Sequence, residues 1–379
     1  MIALPRAASA QVEIVEADAL AREADAWDGL VARACDPHPH FSRRAIAAHR
    51  AAGLAPDDLR IVTVRRGGRL AAALPYRLRR DLSGLGGLVA QPFLSPFVTA
   101  TPPLVADDED LAATLAALVA GLAAASGGRA WRWRLLPVET RLGQALLAAM
   151  REAGWTCGRV AAFGRPILER RASHDAFLDG HPHRSRFKDL RRRERRLAEA
   201  GQVAFETATS GDALAGAVED FLALERAGWK GAAGTAMACR PESAALARAL
   251  FAQAGGPVSP RADILRLDGR PIAVSLALVA GGTATLLKTA FDESQRAQAP
   301  GLILEAGIVR ALHETAFADR LDSATLSGSV LEGLYREREM IAEVIAVPPG
   351  NALPLDRRLR LARFEHAARA EAKRVLRRR

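Results

Sequence analysis

The stretch Thr283-Ala-Thr-Leu-Leu-Lys-Thr-Ala-Phe291, followed by Asp292-Glu-Ser-Gln-Arg-Ala-Gln-Ala-Pro-Gly301, decides the fold of this chain. Its first half is an apolar run with the length of a strand, and its second half is a polar loop. Residues 302–317 then place apolar side chains at spacings of three and four, which predicts a helix. A second short strand is predicted over residues 320–326. A strand, a helix and a strand in this order predict a parallel strand pair with a crossover helix.

The end of this loop has the properties of an anion site. The first N–H groups of a helix lack partners within the helix, and the helix dipole makes that end positive. Pro300 suits a first helical turn, and Gly301 allows a ligand to approach the backbone closely. The stretch therefore indicates a phosphate or pyrophosphate site, with an ordinary strand–helix connection as the alternative.

The composition is that of a globular protein. A length of 379 residues is sufficient for two domains, and 49% hydrophobic with 25% charged residues is typical of soluble chains. The three cysteines, Cys35, Cys157 and Cys239, form no close pair, which argues against a disulfide framework or a zinc knuckle and favours a reducing cytoplasm. No signal-peptide core follows Met1, and the apolar run 111–125 is too short to span a bilayer.

The net charge of +10 is concentrated in two short segments. Residues 184–196 carry a net charge of +6 and residues 350–379 a net charge of +7, which leaves −3 for the rest of the chain. Only these two segments therefore argue for an anionic partner. The first is predicted as a helix over residues 184–200 with a solvated basic face, and the second as a fraying, basic C-terminal helix.

The two halves of the chain share an outline of a glycine-turned hairpin, further strand, a helix and a strand. They differ at the start of the crossover helix. In the first half this helix opens with Asp107-Asp-Glu-Asp110, whose carboxylates would repel a phosphate, whereas the second-half loop has no acid after Glu293 and carries Arg296. If one half binds a phosphorylated ligand, we expect it to be the second.

Several motifs resemble those of one superfamily. The element order, with a pyrophosphate loop before the crossover helix, resembles the GNAT acyltransferases. The chain is more closely similar to the tandem-domain branch that includes cellulose-biosynthesis (CelD/BcsL-type) acetyltransferases, and more distantly to the FemAB aminoacyl transferases. The resemblance covers about residues 10–348, and the segments that carry it best are Arg191-Arg-Arg-Glu-Arg-Arg-Leu197, Glu225-Arg-Ala-Gly-Trp-Lys-Gly231, Leu267-Asp-Gly-Arg-Pro-Ile-Ala273, Lys288-Thr-Ala-Phe-Asp292 and Ala299-Pro-Gly-Leu302.

The resemblance implies an α/β fold with two tandem GNAT-like domains, each a mixed, mostly antiparallel sheet flanked by helices. Residues 1–165 would form a degenerate domain, 166–350 the acyltransferase domain and 351–379 the basic tail. The implied activity is N-acyl transfer from acyl-CoA, with acetyl-CoA as the expected donor, to a small-molecule amine such as a sugar or an envelope or polysaccharide precursor.

The resemblance also suggests roles for individual residues. Tyr335 is expected to act as the general acid toward the leaving thiolate. Lys288, in the middle of a strand, needs a partner or a ligand, and Asp322 is the expected partner and a second catalytic candidate. Trp229 and Lys230, together with Lys288, are predicted to contact the acceptor substrate. The predicted cofactor-binding residues are Thr289, Ala290, Phe291, Arg296, Gln298, Ala299, Pro300, Gly301 and Leu302.

Two other functions remain open from the sequence. One is a FemAB-like transferase that uses aminoacyl-tRNA bound by the basic segment 184–196, and only in this case is nucleic acid an expected partner. The other is a non-catalytic module whose basic segments dock it to a membrane or a nucleic acid; peripheral membrane contact through the C-terminal tail belongs here. The pairs His38/His40 and His181/His183 lack further ligands at suitable spacing, so no metal site is predicted.

Overall fold

The structure is a computed structural model of the chain, and it describes residues 10–107, 110–252, 255–326 and 328–376. The strands are β1 Gln11–Glu16, β2 Arg60–Arg66, β3 Arg69–Arg80, β4 Leu88–Pro92, β5 Leu104–Val105, β6 Trp131–Pro137, β7 Thr156–Glu169, β8 Val203–Ala208, β9 Val258–Leu267, β10 Arg270–Ala280, β11 Thr283–Phe291, β12 Arg320–Asp322 and β13 Glu337–Val347. The helices are α1 Ala17–Arg22, α2 Ala24–Ala32, α3 Arg43–Ala51, α4 Leu111–Ser126, α5 Arg141–Glu152, α6 His174–Leu178, α7 Arg184–Ala200, α8 Gly211–Ala227, α9 Trp229–Ala232, α10 Pro241–Ala252, α11 Pro300–Thr315 and α12 Leu355–Leu376.

The chain forms two compact units that alternate along the sequence. The first unit comprises Met1–Asp36, Asp57–Phe163 and Met340–Arg379, and the second comprises Pro37–Pro56 and Gly164–Glu339. The predicted boundary after residue 165 lies beside the change of unit after Phe163. The segment with α3, which we expected in the first half, lies in the second unit because the guanidinium of Arg44 donates to the carbonyls of Leu250 and Gly255, at 3.1 and 3.0 Å.

In the first unit the strands lie in the order β1-β2-β3-β4-β6-β13, with β5 beside β3. β2, β3 and β4 are antiparallel neighbours, and β2 and β3 form the predicted hairpin with Gly67 and Gly68 at positive φ in its turn. β4 and β6 are parallel at Ala90 and Trp131, with α4 between them in the chain. This unit therefore contains three antiparallel strands that lead into one strand–helix–strand connection.

The start of α4 is closed by an acidic side chain. Asp110 is the N-cap, and its carboxylate accepts the N–H of Ala113 at 3.2 Å and the guanidinium of Arg66 at 2.5 Å. Asp108 and Glu109, the middle of the predicted acidic run, lie outside the described residues. Asp110 thus occupies the helix start, where its negative charge is favourable, whereas Asp107 accepts from Arg141 at 2.8 Å.

A buried ionic network holds the C-terminal helix to the first unit. Arg132 on β6 is fully buried and donates to Glu343 at 2.5 Å, to Asp81 at 2.7 Å and to Glu365 of α12 at 2.6 Å. Ala362 of α12 is also fully buried in an apolar cluster. The expectation of a fraying tail is therefore wrong for the first half of this helix, because its side chains complete the core of the unit.

In the second unit the end of β7 and the following strands lie in the order β7-β12-β11-β10-β9-β8. β8 to β11 are antiparallel neighbours, whereas β11 and β12 are parallel and α11 connects them. α8 and α11 both pack on β10, and α7 packs on α11. Each unit is thus a mixed, mostly antiparallel sheet flanked by helices, which is the predicted class.

The elements around the opening stretch follow the sequence closely. β11 has the predicted bounds Thr283–Phe291, and α7 has the predicted bounds Arg184–Ala200. β12 is shorter than predicted and ends at Asp322, because Ala324 adopts a left-handed conformation with φ of 53° that a strand cannot continue. None of the helices in the described residues is long and apolar enough to cross a membrane.

We expect Arg132→Met to lower the free energy of unfolding by about 3–5 kcal/mol, because the buried Asp81 and Glu343 would lose the cation that they share with the half-buried Glu365. Arg374→Met is the matched control, since Arg374 is 62% exposed and pairs with Glu371 in its own helix; it should change stability by less than about 0.5 kcal/mol. Urea unfolding followed by circular dichroism measures both. Equal effects of the two substitutions would contradict a structural role for the network.

Candidate active site

The second unit contains a cavity of about 470 Å³ at the opening stretch. Its walls are the second half of β11, the start of α11 and the loop that follows β12. Leu286, Phe291 and Leu302 supply apolar surface, and Lys288, Arg296 and Glu305 supply charge. A cavity of this size with few charged groups is typical of a small-molecule site.

The cavity opens because β11 and β12 separate. Their parallel ladder pairs Thr283 with Arg320 and ends at Thr285 and Asp322, and β11 continues to Phe291 without β12 beside it. On its other edge β11 has a bulge at Leu287, since Leu286 pairs with Ala277 and Lys288 pairs with Leu276. A bulge turns backbone groups out of the ladder, and Leu287 lines the cavity.

The start of α11 forms one end of the cavity. Ala299 precedes the helix in a left-handed conformation, with φ of 55°, and Pro300 is at its first position. Gly301 lines the cavity, and a Cβ on Gly301 would lie 3.2 Å from the ring of Phe291. A side chain at this position would therefore take up space at the start of α11, where the N–H groups of Leu302 and Ile303 donate to the carbonyl of Ala299 at 3.0 and 3.1 Å.

Basic residues of α7 hold both loops that border the cavity. Arg193 donates to the carbonyl of Ala297 at 2.7 Å, in the turn before α11. Arg186 donates to the carbonyl of Val330 at 3.1 Å, in the loop after β12. At least two side chains of the segment 184–196 therefore have structural partners, whereas Lys188, Arg191 and the others of its outer face are exposed.

Glu305 is a buried acid in the cavity wall. It lies one turn after Gly301 on α11, is 2% exposed, and accepts a hydrogen bond from the hydroxyl of Tyr335 at 2.6 Å. Burial raises the pKa of Glu305 from 4.5 to about 7; the Tyr335 hydrogen bond lowers it and the charge of Asp263 raises it. Burial and the adjacent Glu305 carboxylate raise the pKa of Tyr335 well above its usual value. A carboxyl group that titrates near neutral pH is suited to proton transfer.

A second buried acid, Glu225 on α8, organises the lysines. Its Oε1 accepts hydrogen bonds from Lys230 and Lys288, each at 3.0 Å, and its Oε2 accepts the N–H of Met237 at 2.7 Å. Burial raises the pKa of Glu225, but the Met237 N–H and the two ammonium groups outweigh it, so the net shift is downward. Glu225 is therefore ionised at neutral pH, between two cations.

The expected pairing of Lys288 with Asp322 is wrong. The ladder places Asp322 opposite Thr285, which lies three residues before Lys288. Lys288 donates to Glu225 instead. Asp322 accepts the N–H of Ala324 at 2.7 Å and the guanidinium of Arg165 at 3.3 Å. Asp322 thus shapes the turn that begins the cavity loop.

Most of the predicted donor-binding residues lie together. The predicted residues that line the cavity are Lys288, Thr289, Phe291, Arg296, Ala299, Gly301 and Leu302. Those that the structure places outside its lining are Ala290, Gln298, Pro300, Asp322, Tyr335, Trp229 and Lys230. Tyr335 contacts Glu305, which lines the cavity. Lys230 contacts Glu225, whose other partner, Lys288, lines the cavity.

Sequence reasoning assigned no role to Glu305 or Glu225. A signal existed for each of them. Glu305 lies among apolar residues of a helix with Leu304 and Ile308, where an acid is unusual, and Glu225 opens one of the motifs quoted for the resemblance. In the described part of the chain no three His, Cys, Asp or Glu side chains are arranged to hold a metal ion.

Comparisons with known proteins concern the second unit first. Residues 184–324 match the family model described as an acetyltransferase (GNAT) domain, which is less than half of the chain and lies within the second unit. No curated protein sequence matches the chain.

Solved structures show the fold over most of the chain. The C-terminal domain of a proposed lysylphosphatidylglycerol synthetase from Agrobacterium fabrum is 16% identical, with 91% of this chain and 96% of that chain covered and a TM-score of 0.54. FemX is 12% identical, with 88% and 96% covered and a TM-score of 0.53. A tandem GNAT protein from the clavulanic acid pathway is 16% identical over 90% and 100%, but its TM-score of 0.44 supports no argument. The first two confirm the α/β fold.

We expect Glu305→Gln to change how stability depends on pH. The folded state raises the pKa of Glu305 from 4.5 to about 7, so it favours the protonated carboxyl, and that stabilisation is lost as pH rises between these values. The free energy of unfolding of the wild type should fall by about 3 kcal/mol more than that of the variant between pH 4.5 and pH 7.5. Glu314→Gln, at an exposed position of the same helix, should follow the wild type. Parallel pH profiles of the wild type and Glu305→Gln in urea unfolding would refute this shift.

Proposed function

We propose that the second unit is an N-acyltransferase that uses acyl-CoA, with acetyl-CoA as the expected donor. One observation carries this proposal: a single cavity joins an acid-free helix start, with Arg296 beside it, to Glu305, whose pKa is near neutral. The first feature suits the pyrophosphate of a nucleotide-linked donor, and the second suits proton transfer during attack by an amine. The GNAT family match of residues 184–324 supports the same activity.

The two ends of the cavity would divide the donor between them. The turn from Ala299 to Leu302 and the side chain of Arg296 would hold the pyrophosphate. The backbone of β11 near the Leu287 bulge, left without β12 beside it, would hold the thioester arm and polarise its carbonyl. Pro300 and Ala290 would contribute only by fixing the backbone.

The transfer itself needs one proton to move. The neutral amine attacks the thioester carbonyl carbon, a C–N bond forms and the C–S bond breaks. Glu305, as the carboxylate, takes the proton that the nitrogen loses and returns it to the leaving thiolate, so the products are an amide and a free thiol. Tyr335, which donates to Glu305 at 2.6 Å, lowers the pKa that burial has raised and acts through that group.

The first unit would serve as a support without a site of its own. It has the same strand–helix–strand connection, but Asp110 and Arg66 occupy the start of α4. An amine on a sugar or on an envelope or polysaccharide precursor remains our proposed acceptor, and a cytoplasmic location belongs to the same proposal. Peripheral membrane contact through the exposed arginines of α12 remains a prediction.

A second candidate function is aminoacyl transfer from tRNA. The observation that favours it is the position of α7, whose Arg186 and Arg193 hold the two cavity loops while its outer face exposes further arginines. A polyanion bound on that face would lie on the helix that holds both cavity loops. One of the structures with the same fold is named for the synthesis of lysylphosphatidylglycerol.

We expect acetyl-CoA to stabilise the protein, by about 2.7 kcal/mol at a hundredfold excess over Kd. Gly301→Asp should abolish the increase in Tm, because a carboxylate at the start of α11 repels phosphate. Gly216→Asp is the matched control, since Gly216 is exposed on α8 with open space around it, and it should leave the increase unchanged. Differential scanning fluorimetry measures these shifts.

No shift with any acyl-CoA, together with tRNA binding that is lost when Arg191, Arg192 and Arg195 are reversed to glutamate, would favour the second candidate.

The two residues of the buried pair should affect turnover differently. Glu305→Gln should lower kcat by about 100-fold or more, because it removes the proton acceptor. Tyr335→Phe removes the hydrogen bond that lowers the pKa of Glu305, so the rising limb of the pH–rate profile near pH 7 should move to higher pH while activity at alkaline pH is largely kept. Thiol release measured from pH 5.5 to pH 9 distinguishes these results. An unchanged profile in Tyr335→Phe would exclude this coupling.

A further inference from the structure

We infer that the first unit binds peripherally to an anionic phospholipid surface through two adjacent features. One is the turn between β3 and β4, residues 81–88, which we call the leucine turn, and the other is the neighbouring flank of α12. The leucines of the turn and Phe364 would enter the bilayer interface, and the arginines around them would contact lipid phosphates. The inference is independent of the proposed acyl transfer, and it adds an apolar anchor to the contact predicted for the arginines of α12.

The leucine turn has its polar side chains inside and its apolar side chains outside. Asp81 and Ser83 are buried, and the hydroxyl of Ser83 donates to the carboxylate of Asp81 at 2.6 Å. Leu82, Leu85 and Leu88 are exposed, by 38%, 55% and 42%. A turn that faces only water normally has the opposite arrangement, because exposed apolar surface is unfavourable. Three exposed leucines in one short turn therefore indicate an apolar partner.

Leu85 lies at the tip of this turn in a conformation that leucine rarely adopts. Its φ is 55°, in the left-handed region that glycine and asparagine occupy at a lower cost. The conformation is held by the N–H of Leu85, which donates to the carbonyl of Leu82 at 2.9 Å. An exposed leucine at such a position is unfavourable in water for two reasons, and backbone strain of this kind concentrates at functional sites.

The leucine turn is fixed to α12 by hydrogen bonds. Asp81 is one of the carboxylates that bind Arg132, which also binds Glu365 of α12. The guanidinium of Arg358, on the same helix, donates to the carbonyl of Ser83 at 3.0 Å. The turn and the helix therefore form one rigid surface within the first unit, and their exposed side chains keep a constant arrangement.

α12 continues the apolar surface beside the turn. Arg357, Leu361 and Phe364 recur at spacings of four and three, so they share one stripe of the helix. The adjacent stripe contains Arg358 and Glu365, which are the residues that connect the helix to the leucine turn. Phe364 is 67% exposed. An exposed aromatic ring among arginines is typical of helices that lie at a membrane interface.

Both segments carry an excess of positive charge. Residues 77–88 contain three arginines and one acid, and residues 355–376 contain seven basic residues and three acids, with His366 counted as neutral. Their net charges are therefore +2 and +4, and these values already include the buried carboxylates of Asp81 and Glu365. The surface of an anionic bilayer attracts basic segments of this kind.

Acids of the neighbouring strands do not cancel this charge. Glu343 of β13 pairs with the buried Arg132, so the two are neutral together. Asp57 and Asp58 precede β2, and Asp58 lies 4.0 Å from Arg77. With both of these aspartates included, the excess over the two segments is still +4.

A bilayer fits this surface better than a nucleic acid does. Surfaces that bind single strands combine basic residues with aromatic side chains on which bases stack, and the leucine turn contains no aromatic residue. Leucine side chains gain free energy when they enter hydrocarbon. Arginines beside them can reach lipid phosphates, because the stem of arginine is apolar and only its head needs a polar partner.

The test is flotation of the full chain with lipid vesicles. Vesicles of phosphatidylcholine with about 30% phosphatidylglycerol are compared with vesicles of phosphatidylcholine alone, at a salt concentration of about 0.1 M. We expect partition into the anionic vesicles to be stronger by about tenfold or more, and to weaken as the salt concentration rises.

Two variants test the apolar anchor. Leu85→Asn should lower the partition by about tenfold and should keep or raise the Tm, because asparagine accepts a positive φ. Phe364→Gln, at an exposed position of α12, should act in the same direction. Ile14→Thr is the matched control, since Ile14 is 41% exposed on the edge strand β1, and it should leave the partition unchanged.

Two further variants test the charge. Arg79→Gln, at the end of β3 beside the leucine turn, and Arg360→Gln on α12 should each weaken partition into anionic vesicles by about fivefold. Arg69→Gln is the matched control, because Arg69 is exposed at the opposite end of β3, and it should have no effect.

Several results would overturn the inference. The first is that the wild type does not bind anionic vesicles. The second is an unchanged partition in both Leu85→Asn and Phe364→Gln, which would show adsorption by charge without insertion, and the third is an equal loss in Leu85→Asn and Ile14→Thr. Binding of single-stranded RNA without binding of vesicles would assign the surface to nucleic acid. Dimerisation that is lost in Leu85→Asn, again without binding of vesicles, would assign it to a second copy of the chain.

Discussion

The short parallel ladder between β11 and β12 is the constraint on which the site depends. It ends at Thr285 and Asp322, after which Ala324 turns the chain away while β11 continues to Phe291. Two parallel strands that paired along their whole length would fill this space with hydrogen bonds and leave no cavity. Because they separate, one edge of a buried strand becomes available, and α11 begins beside it.

Two buried glutamates in the second unit show how surroundings assign different chemistry to the same residue type. Glu225 meets two ammonium groups and the N–H of Met237, which outweigh the cost of burial and keep it charged. Among the described residues Glu305 accepts a hydrogen bond from the hydroxyl of Tyr335 alone, so burial prevails and its pKa rises to about 7. The first group can therefore fix the position of cations, and the second can exchange a proton near neutral pH.

The two units share one strand–helix–strand connection, but the crossover helix begins differently in each. In the first, Asp110 caps α4 and Arg66 neutralises it, so the helix start is satisfied from within the protein. In the second, Ala299 offers no side-chain cap to α11, and Arg296 lies nearby on the cavity wall. The start of α11 therefore has no acidic side chain to repel an anion, although the N–H groups of Leu302 and Ile303 already donate to the carbonyl of Ala299. In the first unit the charge of the buried Arg132 has a structural role, because its guanidinium pairs with Glu343 inside the unit.

Local patterns in the sequence determined the helices and strands of this protein. They also showed which of the two crossover helices begins without an acidic side chain. The apolar run of β11, the Pro300-Gly301 helix start and the basic helix α7 are readable because they depend on neighbours within a few residues. The partners of Lys288 were not readable: Glu225 lies 63 residues away on α8, and a strand lysine gives no sign of which acid it will meet. The role of Glu305 depended on burial against Tyr335, 30 residues away, because a carboxyl pKa is set by solvent exclusion that only the packed structure decides. The contact between α12 and Arg132 could not be predicted from the sequence either, because ionic contacts between distant residues leave no local periodicity.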